Sequence, residues 1–220
     1  MFLNKSKFIL FLSVTIFFQS CSIVDDKVQR KRVLFNDDWK FINEDLVDAH
    51  LHSFDDDNWR ELSLPHDWAI EGPFTEEVSF KGGYLPYPGV GWYRKSFSPT
   101  LISGNLYLEF GGIMRNSKVF LNGEYIGGWP YGYTSFKLDI TDKVIENVEN
   151  VIAIRVDNQD RSSRWYPGSG IYRNVWMNQT HLTHVDHWGT YITTPEIKKD
   201  YAKIVVETDL VNKQKDSVSI

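Results

Sequence analysis

The chain has 220 residues, a formal net charge of −5, 15% aromatic residues including eight Trp, and one Cys. That length accommodates one domain with a sizeable core and part of a second. The negative charge argues against a nucleic-acid partner, which would need a basic face, and a single Cys excludes an internal disulfide.

In chain order, the first segment reads as an address. Lys5 and Lys7 precede an apolar run from Phe8 to Phe18 that is too short for a comfortable membrane span. Phe18-Gln19-Ser20-Cys21-Ser22 then places a small residue before the only Cys, the pattern of a lipobox with Phe where Leu is usual. On this reading residues 1–21 are a lipoprotein signal, Cys21 is lipidated, and the exported chain is tied to a membrane by lipid. An ordinary cleaved signal with an incidental Cys is the alternative. The polar residues 22–32 read as a flexible tether.

From Val33 onward the pattern is that of short strands. Trp39 and Phe41 should face inward from a first strand, and the Asp-rich run to Asn58 reads as a solvated loop. Pro65-His66-Asp67-Trp68 contains a His-Asp pair without an accompanying nucleophile, so hydrogen bonding is expected there and not catalysis. Glu71 to Gly91 is rich in Gly and Pro and reads as a long loop. Trp92–Phe97 and Leu106–Phe110 are strands, the latter with Leu106, Leu108 and Phe110 on one face. Asn122-Gly123, between two β-rich runs, predicts a type I′ hairpin turn. A second aromatic loop, Trp129-Pro130-Tyr131-Gly132-Tyr133, precedes a strand over 135–140, and one helical turn is expected within 141–148.

Ile152, Ile154 and Val156 alternate with Ala153, Arg155 and Asp157, which predicts a strand buried on one face, re-entered at Tyr172 to Met177 after a loop. That loop mixes charges, aromatics, Pro and Gly. Such a mix suits carbohydrate, because a pyranose offers an apolar C–H face to an aromatic ring and hydroxyls to Asp, Asn and Arg. The simpler possibility is that Trp165, Tyr166 and Tyr172 plug the end of a sandwich. Val185 to Thr193 alternates again, Pro195 begins a break, and Tyr201 to Leu210 is a strand with Ala202, Ile204 and Val206 on one side. No amphipathic helix, phosphate loop or metal-ligand spacing is found beyond the leader; His181, His184 and His187 fall in a strand pattern and read as surface residues. The fold class expected is all-β, a jelly roll over 33–195.

Four ordered motifs resemble the amino-terminal sugar-binding domain of family 2 glycoside hydrolases, particularly the β-galactosidase branch: Leu64 to Trp68, Gly89 to Phe97, Asn116 to Gly123 and Ser163 to Trp176. The resemblance implies that residues 196–220 open an immunoglobulin-like sandwich, and that a barrel elsewhere supplies the two Glu of a retaining mechanism. No catalytic residue and no cofactor is then expected in these 220 residues; the partners are a carbohydrate substrate, the enzyme's own further domains and a membrane reached through Cys21. By the same resemblance Asp157, Asn158, Arg164 and Trp165 are the candidate sugar contacts, Pro167, Gly168 and Gly170 shape the loop, and Arg173 braces it from inside. Pro88 and Arg164 stand where β-galactosidases carry Asn and Asp, so β-glucuronide or β-mannoside substrates stay open beside β-galactoside. A non-catalytic, lectin-like surface lipoprotein is the reading from another class.

Overall fold

The structure is a computed structural model, and it describes residues 30–72, 89–100, 104–158, 168–215 and 217. The signal, Cys21 and most of the tether lie outside these residues. Among the described residues twelve strands are formed: β1 Lys31–Leu34, β2 Trp39–Ile42, β3 Arg60–Leu62, β4 Gly89–Phe97, β5 Asn105–Phe110, β6 Ser117–Leu121, β7 Glu124–Trp129, β8 Phe136–Asp139, β9 Asn150–Asn158, β10 Val175–Thr180, β11 Thr183–Ile197 and β12 Ala202–Asn212. One 3-10 turn, Trp68–Ile70, interrupts them, and no α-helix occurs among the described residues.

Two antiparallel sheets face each other. One runs β1-β10-β5-β8, the other β3-β2-β4-β9-β6-β7. Period-2 alternation places Leu106, Leu108, Phe110 and Val175 of the first sheet against Trp39, Phe41, Tyr93, Val119, Ile152, Ile154 and Val156 of the second, giving one continuous core. Trp39 is fully buried and its indole N–H donates to the Phe35 carbonyl at 2.9 Å, so its polar atom is satisfied inside. The expected jelly-roll sandwich is the fold observed. The hairpin turn is also as read: Asn122 and Gly123 have φ of 51° and 88°, the left-handed pair that a type I′ turn requires.

Several local expectations are corrected. β1 begins at Lys31 and pairs with β10, so the tether ends two residues earlier than composition suggests. β4 begins at Gly89, inside the run read as loop, and β10 begins only at Val175. β9 is covered on both faces, because Ala153 packs with Ala49, Trp59 and Trp92 in a second cluster outside the six-stranded sheet. The Asp-rich run forms that cover. Arg94, 2% exposed, donates to the carbonyls of Ala49 (2.6 Å) and Leu51 (3.0 Å) and to Asp56 Oδ2 (2.6 Å), pinning the 49–56 loop to β4. Asp56 is therefore no solvated charge; it is the counter-ion of a buried guanidinium.

β11 and β12 form a separate two-stranded sheet. Pro195 falls within β11, between Thr193 and Glu196 where the pairing register shifts, so it marks a bulge and not a break. The boundary expected at 195/196 thus lies inside a strand. On the apolar side of β12, Ile204 and Val206 are exposed. The hairpin meets the sandwich through Lys137–Asp186 (2.6 Å), Lys213–Asp139 (2.5 Å) and the Tyr107 and His184 rings.

Candidate functional site

β9 delivers the polypeptide to one end of the sandwich at Asn158, and the chain returns at Gly168–Ile171. Arg164, Trp165 and Pro167 lie outside the described residues; what the structure defines is how the two ends of their loop are held. Asn158 is 3% exposed, and its side-chain amide donates to the Gly168 carbonyl (3.1 Å) and to Ser169 Oγ (2.6 Å). One buried amide thereby closes the base of the loop upon itself. Alternation along the strand turns Asp157 the other way. Its side chain is 24% exposed, with Oδ2 accepting from Arg155 Nη1 at 3.1 Å, while Arg155 also grips Asp45 through two bonds of 2.9 and 2.7 Å. The Asp157 backbone is clasped as well: its N–H donates to the Arg115 carbonyl and its carbonyl accepts from Asn116 Nδ2, both at 3.0 Å.

The returning end is templated by the Leu64–Trp68 motif. The His66 N–H donates to the Ile171 carbonyl and the Trp68 N–H to the Ser169 carbonyl, each at 2.9 Å. Asp67 Oδ1 accepts from the Ser169 N–H at 2.7 Å and, capping the 3-10 turn, from the Ala69 N–H at 3.0 Å. Burial pushes the Asp67 carboxyl above its ordinary value, with the two N–H donors opposing that shift. Gly170, bridged to Met114, has φ of +123°, and a Cβ there would lie 2.3 Å from the Tyr93 hydroxyl and 2.7 Å from the His66 carbonyl. Only glycine fits both the angle and the space, as expected for a loop-shaping residue.

His66 links this template to the six-stranded sheet. Its Nδ1 is 2.7 Å from the Tyr93 hydroxyl, and its Nε2 lies 2.6 Å from Arg60 Nη2 and 3.0 Å from Glu71 Oε1. Arg60 holds Glu71 with both of its terminal nitrogens (3.1 and 2.7 Å). Burial lowers the His66 pKa, with Glu71 opposing, and Arg60 beside Nε2 is a further reason for the ring to stay neutral. The His-Asp pair is a hydrogen-bonding element, as read from the sequence. Arg173, expected to brace the loop from inside, is exposed; it donates to the Gly111 carbonyl at 3.3 Å and lies over the Tyr172 ring. Tyr172 is half-buried, and its hydroxyl donates to the Gly132 carbonyl at 2.8 Å.

Of the predicted contacts, the structure therefore brings Asp157 and Asn158 to the same strand end in different settings, one at the rim and one inside. Sequence reasoning passed over Asp67 and Tyr93 as supports of the loop. The one available signal was Leu-Pro-His-Asp-Trp, whose polar pair sits between residues too apolar to be a surface turn. Each acidic group gathered here is answered, Asp157 by Arg155, Glu71 by Arg60 and Asp67 by backbone N–H groups. Groups held in this way position the backbone and side chains around them.

Comparison with known proteins agrees with this fold. A family model described as the β-galactosidase second all-beta domain matches residues 54–162. β-Galactosidase BoGH2A of Bacteroides ovatus is 46% identical over 198 residues, 88% of this chain and 23% of that protein. A β-glucuronidase of Formosa agariphila is 29% identical over 218 residues, 87% of this chain and 22% of its own. The crystal structure of a glycosyl hydrolase family 2 member from Bacteroides cellulosilyticus superposes with a TM-score of 0.75 at 38% identity, covering 82% of this chain and 24% of that one. The chain thus spans about a quarter of the length of the curated relatives it matches.

Proposed function

Since this chain belongs to family 2 of the glycoside hydrolases, we propose that it is the sugar-binding sandwich of a retaining β-glycosidase acting on terminal β-galactosides. In this reading the loop between Asn158 and Gly168, with Asp157, Arg164 and Trp165, completes a saccharide pocket whose two Glu come from a barrel outside these 220 residues. The observation that carries it is the pair of staples flanking that segment: the Asn158 amide at one end and the Leu64–Trp68 template at the other fix where the chain leaves and re-enters the sandwich. The lipobox reading adds export and a lipid tether at Cys21.

The test is a panel of nitrophenyl β-glycosides assayed with the full-length gene product. The galactoside should be turned over fastest, Asp157→Ala should raise KM about tenfold with a smaller change in kcat, and the 220-residue chain alone should release nothing. Preferential turnover of the glucuronide would move the substrate to that of the Formosa relative. An open reading frame without a barrel would leave the lectin-like reading. Radiolabelled palmitate incorporated by the wild type and lost in Cys21→Ser is the outcome expected for the tether; equal labelling of both would remove it.

A further inference from the structure

The second aromatic loop adjoins the site above, through Tyr172 bonded to Gly132 and Asn116 bonded to Pro130, and it is built with comparable care. Gly127 and Gly128 bring β7 against its neighbours so closely that a Cβ at Gly128 would lie 2.0 Å from the Ser117 carbonyl oxygen. β7 ends at Trp129, whose backbone is tied to Ser117 Oγ through both its N–H (3.1 Å) and its carbonyl (3.2 Å). The Trp129 ring lies nearly parallel to Phe136 (15°, centroids 6.0 Å apart), and Phe136 lies nearly parallel to Phe110 (20°, 4.9 Å). These rings form an offset stack that rises from the core, where Phe110 is fully buried, through Phe136 at 8% exposure, to Trp129 at 41%. The indole orientation is locked by Nε1 donating to Thr134 Oγ1 at 2.9 Å.

Beside it Tyr131, 54% exposed, meets the Tyr133 ring edge-on at 5.4 Å. Between them Gly132 is clamped by the Tyr172 hydroxyl and packed so tightly on Met114 that a Cβ would lie 2.3 Å from its sulfur. The loop is therefore rigid on its inner side and shows one flat apolar face and phenol groups on its outer side. None of the residues from Gly127 to Phe136 is charged. An uncharged ligand with a flat C–H face and a rim of hydroxyls matches this surface; an ionic one does not.

We propose that Trp129, with Tyr131 and Tyr133 beside it, is a stacking platform for a neutral sugar ring of an oligosaccharide, next to the rim around Asp157. The inference rests on the carbohydrate reading of the domain, and its class of ligand is a neutral β-linked oligosaccharide. The pinned position of Trp129 means that little order is lost on binding, and a single stacked ring implies weak, millimolar-range affinity.

The experiment is calorimetric titration of the 220-residue chain with β-1,4-galactotetraose, with tetragalacturonate as a charged control. The wild type should bind the neutral tetramer, Trp129→Ala should lose at least tenfold, Trp129→Phe should keep part of the affinity, and the charged tetramer should bind no better. Tyr131→Ala removes a ring more than half exposed, so it remains folded even if Trp129→Ala does not; a loss of about threefold is expected. Absence of binding by the wild type, or equal binding by the wild type, Trp129→Ala and Tyr131→Ala, overturns the platform. Either failure leaves the domain's proposed role intact, because that role is read from the KM of Asp157→Ala in the full-length enzyme.

Discussion

Asp67 has a single carboxylate oxygen bonded to two backbone N–H groups that lie far apart in sequence, one opening the 3-10 turn and one at Ser169. Buried N–H groups are costly to leave unpaired. Asp67→Ala should therefore lower the unfolding free energy by about 2–3 kcal/mol, combining a lost cap with an unsatisfied donor, whereas Asp67→Asn, which keeps an acceptor oxygen, should lose about 1 kcal/mol or less. Urea unfolding followed by tryptophan fluorescence measures both; equal losses would mean that the carboxylate's charge, and not its geometry, is what the site uses. The companion residue Asn158 illustrates a limit of reading chemistry from residue type. An Asn at a strand end suits a sugar hydroxyl and a buried backbone carbonyl equally, and only the returning chain reveals which is near.

The segment between β2 and β3 acts as an element without regular structure. The carbonyls of Ala49 and Leu51 both run to one side chain, the Arg94 guanidinium, and its charge balance depends on Asp56, which also accepts from Lys40 at 2.6 Å. Removing one partner of a buried ion pair leaves the other uncompensated. Asp56→Ala should cost about 3 kcal/mol, seen as a fall of roughly 6–12 °C in Tm by calorimetry, and a change within 1 °C would show that the backbone carbonyls alone satisfy Arg94. The hairpin at Asn122-Gly123 was legible beforehand, because a two-residue turn is specified by its own backbone angles. The 49–56 cover was not. Aspartates next to each other in sequence look solvated until a cation forty residues away is brought beneath them.

At the scale of the whole molecule the titrating groups act in two windows. Burial lowers the folded-state pKa of His66 below its ordinary 6.5, so the unfolded chain takes up a proton there first and stability falls as the pH drops from about 6.5. Asp56 is pushed up by burial but pulled further down by Lys40 and Arg94, so its folded pKa is depressed; its contribution is full above the ordinary 3.8 and is lost as the pH falls below it. Asp67, raised by burial, works in the opposite sense and is relieved by acid. Thermal midpoints measured from pH 8 to pH 3 should decline from about pH 6.5 and more steeply below about pH 4, with the first decline flattened in His66→Gln. An unaltered upper limb in that variant would assign the effect to another group.

What the sequence determined by itself was the strand alternation, the isolated turn and the four motifs that mark the family, since each of these depends on neighbours within a few residues. Where β1 and β4 begin, that β9 is covered on both faces, that Asp56 is a buried counter-ion, and that Asn158 and Asp67 staple the rim were decided only by tertiary structure. The physical reason is the same for all of them: a polar side chain's role follows from the partner that satisfies it, and in an antiparallel sandwich that partner arrives from a strand or loop distant in the chain.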